Sequence, residues 1–76
     1  MKDLSLYIDT EYMQFYENRR KVVEMPMKYR EKVEQIYAET VPDEIDKYGN
    51  SMIEIKLRQI EDEAENDPDI IELFED

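Results

Sequence analysis

The sequence predicts a mainly α fold, a small helical domain of three to four helices. Apolar residues recur at spacings of three, four and seven over most of the chain, which is the pattern of amphipathic helices. Three prolines and the single glycine divide this pattern into segments of helical length. A chain of 76 residues forms one domain, here residues 1–76, and folding buries only about 60% of the unfolded surface. We therefore expect a small core.

Residues 3–25 carry the first helical pattern. Its apolar positions are Leu4, Ile8, Tyr12, Phe15 and Val22. A second interpretation stays open, because Leu4, Leu6 and Ile8 alternate with more polar residues at the period of a strand. Either element ends before Pro26, since the residue that precedes a proline is disfavoured from helical geometry.

Residues 27–41 form the most regular predicted helix. Its apolar side holds Tyr29, Val33, Ile36, Tyr37 and Val41. Pro42 ends this helix, because proline lacks the amide that the next helical hydrogen bond requires. Gly49 then suits the left-handed closing position of a short turn.

Ser51 begins the next predicted helix. Ser51 and Glu54 form a capping box, in which each side chain bonds an otherwise unpaired amide of the first turn. The apolar stripe that follows is Ile53, Leu57, Ile60 and Ala64. A strand is the competing interpretation, because apolar residues also alternate from Ile53 to Leu57. The alternative fold is therefore α+β, with a short two-stranded sheet made from Leu4 to Ile8 and from Ile53 to Leu57.

The residues Asn66, Asp67 and Pro68 predict a break followed by a new helix. Asp67 suits the N-cap, and Pro68 suits the first helical position, where its missing amide costs nothing. Residues 69–74 would then form one or two final turns.

The acidic C-terminal segment, residues 59–76, is the sharpest functional signal. It holds nine of the 21 Asp and Glu residues and no basic residue, whereas the first 58 residues hold all ten Lys and Arg; the formal net charge is −11. As a helix, this segment would span about 27 Å with one charge per ~3 Å, close to the ~3.4 Å phosphate spacing of a DNA strand. The apolar residues among these charges would fix them in space or form the centre of an interface. They are Ile60, Ile70, Ile71, Leu73 and Phe74.

The composition excludes several classes of function. The chain has no His, no Cys and only two Ser, so we expect no catalysis, no cofactor and no thiolate metal site. A loose divalent-cation site from Asp67, Asp69 and Glu72 is a weak alternative. The net charge disfavours direct binding to nucleic acid or to anionic membranes. No apolar run is long enough for a signal peptide or a membrane span, so we expect a cytoplasmic protein.

Tyrosines and two basic clusters are the remaining features. Tyr7, Tyr16 and Tyr48 either pack at the boundary of the core or are exposed at an interface, where tyrosine is enriched. The basic clusters at residues 19–21 and 28–30 predict charge pairing within the fold or across a homodimer.

Small, glycine-poor, cysteine-free and strongly acidic, the chain resembles the DNA-mimic inhibitors that bacteriophages use during host takeover. The residues that carry the resemblance are Glu54, Glu61, Asp62, Glu63, Glu65, Asp67, Asp69, Glu72, Glu75 and Asp76. The resemblance implies that carboxylates spaced like phosphates occupy the DNA-binding surface of a basic protein in the host bacterial cytoplasm. It implies no particular fold.

We therefore predict an acidic inhibitor of a basic bacterial DNA-binding protein, with a histone-like nucleoid protein as the favoured target and a nuclease or polymerase next. The predicted partner-binding residues are Glu54, Glu61, Asp62, Glu65, Asp67, Asp69 and Glu72. The alternative is a regulatory interaction module, an antitoxin or adaptor, whose residues 69–74 fold into a partner's groove through Ile70 and Phe74. Self-association through the N-terminal apolar stripe is a further expectation, since a homodimer would bury it.

Overall fold

The first third of the chain forms a β-sheet and the rest forms helices. The computed structural model describes residues 4–17 and 21–75. Within those ranges the elements are β1 (Leu6–Asp9), β2 (Gln14–Glu17), β3 (Lys21–Glu24), α1 (Met27–Glu39), α2 (Met52–Glu65) and α3 (Pro68–Phe74). The strands pair antiparallel in the order β1-β2-β3. The fold is therefore α+β, and the prediction of a mainly α fold is wrong.

A turn after β1 explains why the N-terminal segment is not a long helix. Asp9 Oδ1 accepts hydrogen bonds from the amides of Glu11 (3.0 Å) and Tyr12 (3.3 Å), which bends the chain. Met13 follows with a positive φ of 53°, which no helix tolerates. Two positions of the predicted apolar stripe, Tyr12 and Val22, are 65% and 58% exposed. The helical spacing of these residues was therefore accidental.

The α+β alternative was correct at one of its two segments. β1 overlaps residues 4–8, where a strand was the second interpretation. Ile53 and Leu57 lie in α2, so the predicted sheet between these two segments is wrong, and β1 pairs with β2 instead. Ser51 explains the difference, because its Oγ accepts a hydrogen bond from the Glu54 amide (3.3 Å) and so begins a helix.

The register gives the sheet an inner face toward the helices and an outer face toward solvent. One inner row, in which residues lie directly opposite one another, is Ile8, Phe15 and Val23. The adjacent outer row is Tyr7, Tyr16 and Val22, and all three side chains are exposed.

The core lies between the inner face of the sheet and the helices. Its buried members are Leu6, Phe15, Met25, Tyr29, Val33, Ile60, Ala64 and Ile70. Phe15 and Tyr29 pack edge to face, with ring centroids 5.5 Å apart. α2 contacts β1, α1 and α3, while α3 also contacts β3. The position of α2 therefore sets where the acidic segment meets the sheet.

Outside the N-terminal segment, the helix boundaries that were predicted are confirmed to within about two residues. α1 ends at Glu39, two residues before the predicted end at Val41. Asp67 is the N-cap of α3, and Pro68 is its first residue. Gly49 has a φ of +87°, the left-handed geometry that glycine adopts without a steric penalty.

Candidate partner-binding surface

The seven predicted partner-binding residues lie on α2, on α3 and at the junction between the two helices. α3 is fixed to the rest of the protein, because Ile70 is fully buried and Phe74 packs against the core. The acidic segment is therefore part of the folded structure as far as residue 75, whereas Asp76 lies outside the described residues. The seven residues fall into two sets with different surroundings.

Glu61 and Glu65 bind the free edge of the sheet. Glu65 Oε2 accepts a hydrogen bond from the amide of Leu6 at 2.9 Å, and Glu61 Oε2 accepts one from the amide of Ile8 at 3.0 Å. These two amides belong to β1, which has β2 on its other side. The two carboxylates therefore take the place of a missing neighbouring strand.

Matching periodicities make this double contact possible. Residues four apart on a helix are about 6 Å apart along its axis, and residues two apart on a strand are about 6.8 Å apart. The contacts join the later helix residue to the earlier strand residue, so α2 runs antiparallel to β1. Burial in this contact raises the pKa of Glu61, although the hydrogen bond from the Ile8 amide opposes that effect.

Asp67 joins three parts of the structure. Its Oδ1 accepts a hydrogen bond from the Asp69 amide (3.0 Å), which caps α3. Its Oδ2 accepts a hydrogen bond from the Tyr29 hydroxyl (2.5 Å) and forms an ion pair with Lys28 Nζ (2.9 Å). The hydrogen bonds from Tyr29 and Lys28 lower the pKa of Asp67 to about 2. The pKa of Tyr29 is raised. Burial of its side chain is the main cause, and the hydrogen bond to Asp67 is the second.

These contacts define an internal set of acidic residues. The internal set is Glu61, Glu65 and Asp67. Each side chain holds a hydrogen bond to a residue at least 38 positions earlier in the chain. The internal set therefore ties the C-terminal helices to the sheet and to α1.

The remaining four predicted residues define an exposed set. The exposed set is Glu54, Asp62, Asp69 and Glu72. Their carboxylates form no hydrogen bond or ion pair with any other residue in the described part of the chain. Glu54 and Asp62 lie about 12 Å apart along the axis of α2, and Asp69 and Glu72 lie one turn apart on α3. This set is available to a partner.

A groove of about 500 Å³ runs between β1 and α2, beside part of the exposed set. Tyr7 lines its strand side, and Glu54, Arg58 and Asp62 line its helix side. Glu61 and Glu65 also line the groove, where their carboxylates bond to β1. Tyr7 also stacks on Tyr16, with ring centroids 5.6 Å apart. The groove thus combines an aromatic ring with two exposed carboxylates.

The tyrosines and basic residues divide between the core and the surface. Tyr7, Tyr16 and Tyr48 are exposed by 43%, 38% and 76%. The second basic cluster pairs within the fold, because Lys28 binds Asp67 and Arg30 binds Glu24. In the first cluster, Arg19 and Arg20 lie outside the described residues.

Sequence reasoning missed the internal roles of Glu61 and Glu65. A pair of carboxylates four apart on a helix is the relevant signal, but it has meaning only when β1 is known to be an edge strand. The N-cap role of Asp67 was predicted from Pro68, whereas its bond to Tyr29 has no local signal in the sequence.

The geometry also bears on metal and membrane binding. Within residues 4–17 and 21–75, no three acidic side chains come close enough to hold a metal ion, and Asp67 is turned toward Tyr29 and Lys28. Over the same residues, no helix has the length and apolar character needed to cross a membrane.

No protein family, curated protein or solved structure matches this chain significantly.

Proposed function

We propose that the protein acts by binding, without catalysis, to a basic surface of another protein that otherwise binds DNA, and so blocks that surface. The observation that carries the proposal is the exposed set, four carboxylates that ordered helices hold in place and that face solvent. Carboxylates in such an arrangement attract the Lys and Arg side chains that a DNA-binding protein uses for phosphates.

Fixed charges suit this function better than charges on a mobile tail. α3 is anchored by Ile70 and Phe74, so little conformational entropy is lost when its carboxylates meet a partner. The net charge of −11 adds a long-range attraction that speeds association with a basic protein and weakens as salt is added.

The groove between β1 and α2 offers short-range contacts next to these charges. An Arg or Lys side chain that enters it meets the carboxylates of Glu54 and Asp62 and the ring of Tyr7. Cations bind aromatic rings favourably, by about 0.5–1 kcal/mol at exposed sites. Arg58 on the same wall favours entry near the two ends of the groove rather than at its middle.

The regulatory module with a tail that folds on a partner receives less support. That hypothesis requires Ile70 and Phe74 to enter a groove of the partner. Ile70 is fully buried within the protein's own core, and Phe74 packs against that core. Both side chains therefore pack within the protein itself and not in a partner's groove.

Displacement of DNA tests the proposed function. A fluorescent duplex is bound to a purified histone-like nucleoid protein, with a nuclease and a polymerase as further targets, and the acidic protein is added at ~50 mM salt. We expect release of the duplex, measured by fluorescence anisotropy, and we expect that release to weaken steeply at several-fold higher salt.

The matched control neutralises the exposed set by Glu54→Gln, Asp62→Asn, Asp69→Asn and Glu72→Gln. These sites are on the surface, so the variant should keep its fold, as circular dichroism can verify, and should lose displacement. Failure of the wild-type protein to release DNA from every basic target, or full activity of the neutralised variant, overturns the proposal.

A further inference from the structure

The two edges of the sheet are completed differently. The edge at β1 is covered by α2, because the carboxylates of Glu61 and Glu65 accept hydrogen bonds from backbone amides of β1. β3 forms the opposite edge. Exposed edge strands pair readily with extended segments of other chains, so the state of the β3 backbone is informative.

The pairing register determines which backbone amides of β1 and β2 point toward the neighbouring strand. In an antiparallel pair, alternate residues bond to the neighbouring strand and the others point away from it. The amides of Leu6 and Ile8 point away from β2, because they bond to α2. The backbones of Tyr7 and Tyr16, which lie opposite each other, are therefore hydrogen-bonded between β1 and β2.

The same alternation continues across β2 to β3. The backbone amide of Phe15 points toward β3, where Phe15 lies opposite Val23. The amide of Met25 donates to the carbonyl of Met13 (3.1 Å) in the same phase. The amides of the intervening residues, Val22 and Glu24, therefore point outward from the sheet, and neither has a hydrogen-bond acceptor in the described part of the chain.

The two residues that carry these amides are exposed. The Val22 side chain is 58% exposed and the Glu24 side chain is 81% exposed. Both belong to the outer face of the sheet, where Val22 extends the row of Tyr7 and Tyr16. An added strand would therefore gain two pairs of backbone hydrogen bonds and an apolar neighbour.

We propose that the outer edge of β3 pairs with an extended basic segment of a partner protein, which adds a fourth strand to the sheet. The charge of the partner follows from the charges on this side of the molecule. Glu24 pairs with Arg30 through Oε2 (3.2 Å), but its side chain is 81% exposed at the edge. α3, which contacts β3, carries the exposed Asp69 and Glu72. Lys21 lies directly opposite Glu17 in the register, so its charge is matched within the sheet.

A second copy of the chain is a poor occupant for the same edge. Two copies would each bring a net charge of −11 and an outward Glu24. Like charges that lie opposite each other in a sheet destabilise the pairing. The sign of the partner's charge rests on the proposed function, whereas the pairing of the edge rests on the backbone geometry of β3.

The register also gives the side chains that such a segment requires. Residues two apart on the added strand lie on the same face of the sheet. The residue beside Val22 should be apolar and the residue beside Glu24 should be Lys or Arg. A peptide that carries valine and lysine two positions apart, with threonine between them, satisfies this pattern.

Amide hydrogen exchange, followed residue by residue with NMR, tests the proposal. A peptide of about six residues with threonine at alternate positions and valine and lysine at the positions between them is added at millimolar concentration. We expect the amides of Val22 and Glu24 to exchange at least roughly tenfold more slowly with the peptide than without it. The amides of Leu6 and Ile8 should be protected in both states, because α2 already binds them.

Substitutions at Val22 supply the controls. Val22→Pro removes an amide that the fold does not use, so the protein should stay folded and lose peptide binding. Val22→Lys, which places a positive charge beside the basic peptide, serves if the proline variant does not fold. The same peptide with glutamate in place of lysine should not bind.

The outcomes separate this inference from the proposed function. In the variant with a neutralised exposed set, the peptide should still protect Val22, although at a higher peptide concentration, because the backbone hydrogen bonds do not use those carboxylates. This holds even if DNA displacement is lost. The inference is overturned if no β3 amide is protected, or if the folded Val22 variants bind the peptide as the wild type does. Protection that rises with protein concentration alone also overturns it, because a second copy would then occupy the edge.

Discussion

The internal set and the exposed set come from the same acidic segment and carry the same kind of charge, yet they have different roles in the molecule. Glu61 and Asp62 are neighbours in sequence. Glu61 binds the amide of Ile8, while Asp62 faces solvent. The difference arises from a rotation of about 100° per residue around α2, which directs one side chain to the edge of β1 and the next away from it.

The number of acidic residues in the segment is therefore larger than the number of carboxylates that are available to a partner. Three of the seven carboxylates predicted to bind a partner are engaged within the protein. Substitutions in the internal set should change stability, whereas substitutions in the exposed set should change binding.

Asp67→Ala should produce the largest loss of stability. It removes the cap of α3, the partner of the buried Tyr29 hydroxyl and the ion pair of Lys28. Losses of this kind cost about 2–4 kcal/mol together, which lowers the melting temperature of a small domain by about 10–25 °C. Asp69→Ala, two residues away in the exposed set, should cost less than about 1 kcal/mol. Equal melting temperatures for the two variants would contradict the division into sets.

The double substitution Glu61→Ala and Glu65→Ala should produce a smaller loss. The amides of Leu6 and Ile8 would lose their acceptors, and we expect a cost of about 1–3 kcal/mol in urea denaturation. The uncovered edge of β1 should also promote association, visible by size-exclusion chromatography. Replacement by Gln keeps a carbonyl acceptor at each position and should retain most of the stability. A stable, monomeric alanine variant would show that the two carboxylates do not protect the edge.

The internal set should also show two opposite responses to pH. The pKa of Asp67 is about 2 in the folded protein and ~3.9 in unfolded chains, so its stabilising effect is present above about pH 4 and is lost as the pH falls toward 2. Burial raises the pKa of Glu61, so its ionisation opposes folding as the pH rises through that raised pKa. Asp67→Asn keeps the cap and should lower the melting temperature at pH 7, with a difference from wild type that vanishes near pH 2.

The variant Glu61→Gln completes this comparison. It resembles the protonated side chain, so its melting temperature relative to wild type should rise as the pH increases from 4 to 7. The two variants therefore report on one set from opposite directions. If Asp67→Asn and Glu61→Gln follow parallel curves, the assigned contacts of these carboxylates are incorrect.

The helices were predictable because their ends carry local signals. Ser51 and Asp67 cap α2 and α3, and Pro68 fixes the start of α3. The strands were harder to predict, because each has only four residues. The turn before β2 also depends on hydrogen bonds that the Asp9 side chain accepts and on the positive φ of Met13. Neither feature has a strong sequence signature. A helical spacing of apolar residues therefore outweighed a correct but shorter strand pattern.

The candidate surface was predictable in location but not in membership. The segment that would hold the charges was identified from composition, and its anchoring residues include Ile70 and Phe74. Which carboxylates remain exposed depends on pairings between distant residues, such as Leu6 with Glu65. No local pattern in a single sequence contains that information.

DNA displacement by two charge-matched variants separates the role of the exposed set from that of the total charge. Asp62→Asn with Asp69→Asn alters the exposed set, and Glu61→Gln with Glu65→Gln alters the internal set; each changes the formal net charge from −11 to −9. At ~50 mM salt, the exposed-set variant should release DNA from the basic protein much less effectively than the wild type, while the internal-set variant should match the wild type. Equal weakening of both variants would contradict the role of the exposed set, because only the total charge would then matter.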